Sequence, residues 1–135
     1  MTFSIEERDT QFVLFEQLKI GELCDLEKYK DFSIDEFKMI LEEAGKVAKN
    51  MIAPLNEISD RVGAKFEDGK VFMPEGYKEA YDQFAEGGWI GMTHNPEYGG
   101  QGLPRTLGVA CSEHFISACT SGFNMTAGLT NSLRT

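Results

Sequence analysis

The sequence predicts an all-α fold, a helical-bundle domain of about five helices. Apolar residues recur at steps of three and four through most of the chain, and patterns typical of strands are nearly absent. Serine and proline start signals and glycine stop signals flank these periodic segments. The 135 residues are enough for one compact domain with a hydrophobic core.

The first predicted element is a short helix in an N-terminal extension, residues 1–32. Ser4 and Glu7 have the S-x-x-E spacing of a capping box, in which a serine and a glutamate side chain satisfy backbone N–H groups at the helix start. The helix should end before Gly21. Its apolar face consists of Phe12, Val13, Phe15 and Leu18.

The strongest start signal opens the main domain, residues 33–135. Ser33 and Glu36 form a second S-x-x-E box, and Phe32 and Phe37 occupy the positions of a hydrophobic staple. The helix that follows carries one apolar stripe of Ile34, Phe37, Ile40, Leu41, Ala44, Val47, Ala48, Met51, Ile52, Leu55 and Ile58.

Turn and stop residues divide the next part of the chain. Pro54 should kink the long helix, and Gly63 should end it. Asp68-Gly69 in "FEDGKVFM" predicts a turn with at most a small hairpin. Pro74 then starts another helix, which stops at Gly87-Gly88. Its predicted apolar face is Tyr77, Ala80, Tyr81, Phe84 and Ala85.

A corner rich in glycine and proline, "HNPEYGGQGLP" at residues 94–104, precedes the last helices. Pro104 should start the helix "RTLGVACSEHFISACT", whose apolar residues spread around most of its circumference, as expected for a helix with neighbours on several sides. The final "FNMTAGLTNSLRT" resembles the first turns of a further helix.

Composition restricts the possible partners. With 13 basic and 22 acidic residues the formal net charge is −9, and no basic stripe is separated from the acid, so nucleic acid is not expected to bind. No stretch approaches the roughly 20 apolar residues of a membrane span, and the N-terminus lacks a signal-peptide pattern. Three cysteines without a C-x-x-C pair suit reduced thiols, which favours a soluble cytoplasmic protein.

The glycines of the corner allow two interpretations. Clustered glycines let backbone N–H groups approach a phosphate, and Gly100 and Gly102 satisfy G-x-G. Arg105 occupies the place of the third glycine, however, and no strand precedes the loop, so a dinucleotide fingerprint is incomplete. The alternative is that the glycines adopt backbone angles that other residues avoid, while Pro96 and Pro104 restrict the loop.

Two other groups of side chains could be either functional sites or ordinary parts of the core. Cys111 and His114 are neighbours at i, i+3, but they supply too few ligands for a zinc site, and no metal site is predicted. Free cysteines in an apolar helix are usually small core residues. Met92, Phe123, Met125 and Leu129 are consistent either with an apolar ligand pocket or with ordinary core packing.

Three segments carry a family resemblance. "APLNEISDRVG", "MPEGYKEAYDQFAEGGWIGMTHNPEYGGQGLP" and "FNMTAGLT", in this order, resemble the N-terminal helical domain of the flavin-dependent acyl-CoA dehydrogenases over about residues 33 to 130. The upstream "RDTQFVLFEQL" resembles the N-terminal extension of the branch that includes the 3-methylmercaptopropionyl-CoA dehydrogenases. By this resemblance "EYGGQGLP" is a shaped corner between helices.

The resemblance implies an oxidoreductase that carries out α,β-dehydrogenation of acyl-CoA thioesters with FAD, and passes its electrons to an electron-transferring flavoprotein. It also implies a homo-oligomer. The residues that match the helix bordering the acyl chain are Phe123, Met125, Thr126, Leu129 and Thr130. Family positions for the catalytic glutamate and for most flavin contacts would follow Thr135, so no catalytic or cofactor-binding residue is predicted within this chain.

Two competing interpretations remain at this point. One alternative to the dehydrogenase domain is a stand-alone helical interaction module or a truncated remnant, which has the fold without the enzyme. The other is a small thiol or metal enzyme built on Cys111 and His114. Acyl chain length and oligomeric state do not follow from the residues.

Overall fold

The computed structural model describes residues 3–120 of the chain. The described part contains five α-helices: α1 (Glu7–Gln11), α2 (Ile34–Val47), α3 (Ala53–Val62), α4 (Tyr77–Glu86) and α5 (Arg105–Ala118). One antiparallel hairpin is formed by β1 (Lys65–Glu67) and β2 (Lys70–Phe72). Short 3-10 helices lie at Ile20–Asp25, Glu27–Tyr29 and Pro96–Tyr98. The predicted all-α class is confirmed.

Helix α2 starts where the sequence predicts. The Glu36 N–H donates to Ser33 Oγ at 3.3 Å, and the Ser33 N–H donates to the Glu36 carboxylate at 2.7 Å, so the capping box is complete. The rings of Phe32 and Phe37 lie 6.0 Å apart, as the staple requires. Local sequence therefore fixes this helix start before any tertiary contact is considered.

We expect Ser33→Ala to lower the free energy of unfolding by about 1 kcal/mol, because it leaves the Glu36 N–H at the helix start without its side-chain partner. Urea denaturation of the parent and the variant measures this difference. Ser33→Thr is the matched control, since threonine retains a capping hydroxyl. An unchanged midpoint for Ser33→Ala would show that the cap does not contribute.

The predicted effect of Pro54 appears one turn upstream of the proline. Residues Ala48–Ile52 form a π-helical turn between α2 and α3, and the N–H of Ala53 donates to the carbonyl of Ala48. Proline lacks an N–H and crowds the carbonyl four residues before it, so a locally wider helix relieves the conflict. Helix α3 then ends at Gly63, whose φ of 64° lies in the left-handed region.

The predicted start of the first helix is wrong. Helix α1 begins at Glu7, its N-cap is Glu6, and no side-chain cap hydrogen bond forms there, so Ser4 lies outside the helix. Ile5 packs against the core instead, and the Glu7 carboxylate lies over Gly45 of α2. Tertiary packing of the extended residues at the N-terminus thus overrides a capping spacing that sequence alone suggests.

The end of this first helical region also differs from the expectation. A π-helical segment, Phe12–Gln17, continues α1, and the chain leaves it at Lys19, which has a φ of 49°. Gly21, the expected stop, lies inside the following 3-10 helix. Leu14 and Ile20 from this region are buried in the common core, while the division of domains at residue 32 stays a prediction.

The hairpin and α4 agree with the sequence in outline. Asp68 and Gly69 both have positive φ, 51° and 77°, as a two-residue type I′ turn requires. Helix α4 begins at Tyr77, after a turn at residues 75–76, so the predicted start at Pro74 is wrong, whereas the helix ends at the predicted glycine pair. Tyr77, Ala80 and Phe84 of its predicted face are buried, but Tyr81 and Ala85 are exposed.

The core lies between α2 and α5, with α3 and α4 beside them. Helix α5 begins directly after Pro104 and has buried residues on several sides, as its sequence predicts. Its buried residues are Leu107, Gly108, Ala110, Cys111, His114, Phe115 and Ala118. No described helix has both the length and the hydropathy needed to cross a lipid bilayer.

Candidate functional site at the glycine-rich corner

The corner at residues 94–104 is a folded loop closed by its own backbone. Asn95 Oδ1 accepts from the Glu97 N–H at 3.0 Å, which starts the 3-10 turn Pro96–Tyr98. Gly99 follows with a φ of 81°, and Gly102 has a φ of 70°. These two angles explain the glycines there, because side-chain-bearing residues rarely adopt them.

The backbone donors of residues 100–103 in the corner are already used. The N–H groups of Gly100, Gln101, Gly102 and Leu103 donate to the carbonyls of Asn95, Gly91, His94 and Met92 at 2.9–3.1 Å. A phosphate-binding loop needs such N–H groups to point at the ligand. The geometry therefore supports the shaped-corner interpretation of these glycines.

The corner is held against its surroundings by two further contacts. Gln101 Nε2 donates to the carbonyl of Gly88 at 3.0 Å, which joins the loop to the end of α4. A Cβ at Gly108 of α5 would overlap the methyl group of Thr93. Glycine at this position lets α5 approach Thr93, which directly precedes the corner, without displacing that side chain.

An aromatic cluster lies beneath the corner. The ring of Phe115 meets the edge of Phe84 at 4.9 Å and that of Trp89 at 5.3 Å between centroids. Phe84 and Trp89 stack at 6.5 Å. Such pairs prefer these tilted or offset arrangements, and they join α4, the segment between α4 and the corner, and α5.

An open groove of about 740 Å³ runs between α2 and the corner. Its floor is largely apolar, with carboxylates and one lysine at the rim. The lining residues are Phe32, Glu36, Met39, Ile40, Glu42, Glu43, Lys46, Gly87, Trp89, Met92, Gln101 and Leu103. No motif in the sequence predicts this groove. Its one signal is Met39, an apolar residue outside the buried stripe of α2.

Cys111 and His114 do not form a reactive pair. Burial raises the pKa of the Cys111 thiol to about 12, so it stays protonated at neutral pH. His114 is buried, and its Nε2 has no hydrogen-bond partner within the described part of the chain. Burial also lowers the pKa of His114, an effect that the carboxylates of Glu113 and Glu7 partly oppose. Both residues are best explained as parts of the core of α5.

We expect His114 to make the fold less stable in mild acid. Its folded-state pKa lies below its ordinary value of 6.5, so stability is fully present above pH 6.5 and is lost as pH falls through the folded-state pKa. Urea unfolding of the parent and of His114→Leu at pH 7.5 and 5.5 measures this. The parent should lose more stability than the variant, and equal losses would contradict the expectation.

The residues predicted to border an acyl chain cannot be compared with this geometry. Phe123, Met125, Thr126, Leu129 and Thr130 lie outside the described residues. Met92, the fourth apolar residue considered for a pocket, is 5% exposed, packs in the core and reaches the groove floor. Among residues 3–120, no three potential metal ligands come together.

The helices and the corner match a known class of protein domain. Residues 34–135 match the N-terminal domain of acyl-CoA dehydrogenases, and the chain belongs to this family. The region of the match includes α2 to α5 and the complete corner. The family membership that the ordered motifs predict is thereby confirmed.

Three particular relatives give the family membership more detail. The chain is 38% identical over 131 residues to 3-methylmercaptopropionyl-CoA dehydrogenase of Ruegeria pomeroyi, which covers 97% of this chain and 22% of the relative. It is 32% identical over 87 residues to a butyryl-CoA dehydrogenase of Syntrophomonas wolfei, covering 62% and 14%. It is 26% identical over 113 residues to the broad-specificity linear acyl-CoA dehydrogenase FadE5 of Mycobacterium tuberculosis, covering 82% and 18%. The chain spans less than a quarter of these curated relatives.

Proposed function

We propose that this chain is the N-terminal helical domain of an FAD-dependent acyl-CoA dehydrogenase, which introduces an α,β double bond into an acyl-CoA thioester. The observation that carries the proposal is the family match over residues 34–135. The described helical fold is consistent with this match, and the similar proteins are named as acyl-CoA dehydrogenases. We further propose a cytoplasmic, homo-oligomeric enzyme that delivers electrons to an electron-transferring flavoprotein.

The proposed role of this domain is to form part of the wall of the acyl and flavin site. Phe123, Met125, Thr126, Leu129 and Thr130 are the proposed substrate contacts, and they follow α5 directly in sequence. The corner supports this role because it fixes the start of α5 through paired backbone groups. Precise placement of a substrate wall depends on such rigid supporting structure.

The paired backbone of the corner does not fit a flavin pyrophosphate. A flavin pyrophosphate needs free N–H donors or basic groups, whereas the N–H groups of residues 100–103 are paired and the chain carries a net charge of −9. The groove rim is also mainly acidic. We therefore propose that the main cofactor contacts and the catalytic base come from other parts of the enzyme.

We expect the 135-residue chain alone neither to retain FAD nor to oxidise an acyl-CoA, because both depend on groups that must be positioned together. The purified chain should lack absorbance in the flavin bands. It should also give no turnover with FAD, a panel of acyl-CoAs and an artificial electron acceptor. A yellow protein that oxidises substrate would contradict this division of roles.

A chimera tests the proposed function itself. The matching N-terminal region of the Ruegeria pomeroyi relative is replaced by this chain, and FAD content and dye-linked acyl-CoA oxidation are measured. Leu129→Trp in the chimera should change KM with acyl chain length if this residue borders the substrate. Val109→Trp is the control, since Val109 is 67% exposed on α5. A folded, FAD-containing chimera without activity, or equal effects of both variants, would contradict the proposal.

A further inference from the structure

The β1–β2 hairpin projects from the helical domain into solvent. Every residue from 64 to 73 is exposed, including the apolar side chains of Phe66 at 74% and Val71 at 65%. A two-stranded hairpin is at best marginally stable alone in water, and its open strand edges are templates for pairing. Among residues 3–120, the hairpin therefore combines backbone edges without a strand partner and an apolar surface that no neighbour covers.

The register determines which backbone N–H and C=O groups face outward at each strand edge. Lys65 pairs with Phe72, Phe66 with Val71, and Glu67 with Lys70. In a hairpin with a two-residue turn, the pair beside the turn is hydrogen-bonded and the next pair is not. The N–H and C=O of Phe66 therefore point away from β2, and those of Val71 point away from β1. Phe66 thus presents one donor and one acceptor at the outer edge of β1.

We propose that β1 pairs antiparallel with β1 of a second copy of this chain, with Phe66 opposite Phe66 at a two-fold axis. This register lets each Phe66 N–H donate to the carbonyl of Phe66 in the other copy, so two bonds form. It gives one four-stranded sheet, in the order β2, β1, β1, β2, from two exposed hairpins.

Charge complementarity supports pairing with a second copy of this chain. Two-fold antiparallel pairing about Phe66 places Lys65 opposite Glu67 of the second copy, and the same pair forms again across the axis. Within one chain Glu67 already stands opposite Lys70. Each Glu67 then has a lysine on both sides, one from each copy. Opposite charges on directly facing strand positions stabilise a sheet, whereas like charges destabilise it.

The apolar face supports the same arrangement. Side chains alternate along a strand, so Phe66 and Val71 share one face of the hairpin. Pairing of two β1 strands forms a row of Val71, Phe66, Phe66 and Val71 across four strands. Aromatic and β-branched neighbours are favourable cross-strand pairs. The row removes apolar surface from water that a single hairpin leaves exposed.

The β2 edge is the poorer alternative. Pairing of two β2 strands about Val71 would place Lys70 opposite Phe72 of the other copy, and no opposite charges would meet. The β1 edge is therefore favoured by its sequence, Lys-Phe-Glu, which is complementary to itself when reversed.

The test is a charge-swap experiment on the full 135-residue chain, with association measured by sedimentation velocity from micromolar to millimolar concentration. Lys65→Glu places two glutamates opposite each other twice, and Glu67→Lys places two lysines opposite each other twice. Each variant alone should associate at least about tenfold more weakly than the parent, given two altered pairs per dimer. An equimolar mixture of the two should recover association, because both facing pairs between the two copies are then opposite in charge.

Two controls keep the result specific to β1. Lys70→Glu changes a charge of the same hairpin without facing the second copy, and it should weaken association less than Lys65→Glu. Thermal unfolding at low concentration shows whether each variant keeps the helical fold. A parent that is monomeric at millimolar concentration would overturn the proposal. So would single variants that associate like the parent, or a mixture that associates no better than either variant alone.

Discussion

Gly100→Ala is expected to lower the free energy of unfolding by about 3 kcal/mol, the upper part of the usual range for forcing extra atoms into a packed site. A Cβ at Gly100 would overlap the carbonyl group and the Cβ of His94. The His94 carbonyl is not free to move, because it accepts the Gly102 N–H at 2.9 Å. The overlap therefore opens the corner that sets the start of α5. Urea denaturation and thermal unfolding measure the loss.

Gly99→Ala is the matched control for this substitution. Gly99 has a φ of 81°, but no atom of residues 3–120 lies within 4 Å of the position that its Cβ would take. Its replacement should lower the free energy of unfolding by about 1 kcal/mol, because alanine is strained at this backbone angle. Equal effects of the two substitutions would show that the overlap with His94 is not decisive. A rise in the parent's Tm on adding a nucleotide would contradict the purely conformational role of the loop.

Phe37→Ala is also expected to have a large effect and to lower the free energy of unfolding by about 4 kcal/mol. Phe37 is completely buried on α2, and it also forms the staple with Phe32 across the helix start. Removing its ring leaves a cavity where α2 faces the rest of the core, and it removes one half of the staple as well. Urea denaturation gives the difference in the free energy of unfolding.

Met39→Ala on the same helix is the control, since Met39 is 59% exposed. Its effect should stay within about 0.5 kcal/mol, as for most surface substitutions. A small effect of Phe37→Ala would mean that α2 does not depend on this contact. A large effect of Met39→Ala would mean that the groove face of α2 is covered in the folded protein.

Short-range features of the fold followed closely from the sequence. The Ser33 capping box, the Gly63 stop, the Asp68-Gly69 turn and the Pro104 start all stand where their residues predict. Each of these signals acts within a few residues, through one hydrogen bond, one backbone angle or one missing N–H group. Such interactions form in the same way wherever the segment lies in the fold.

The candidate site was predicted less completely. The corner was identified as a turn between helices, but the pairing of its N–H groups with residues 91–95 was not visible in the motif. The groove depends on α2 and Trp89 coming together, although they are about 50 residues apart in sequence. The proposed acyl contacts rest on the family resemblance, because their side chains carry no distinctive spacing.

Sequence by itself determined the helical class, the main helix boundaries and the family, since capping, turn chemistry and ordered motifs are local properties of the chain. Only the tertiary structure decided where α1 begins, which parts of the apolar faces are covered and how the corner closes. Ser4 has the spacing of a cap yet lies outside α1, because Ile5 and Glu7 are placed by contacts with α2. Burial and contact between distant segments depend on the whole packed arrangement, and no short window of sequence contains that information.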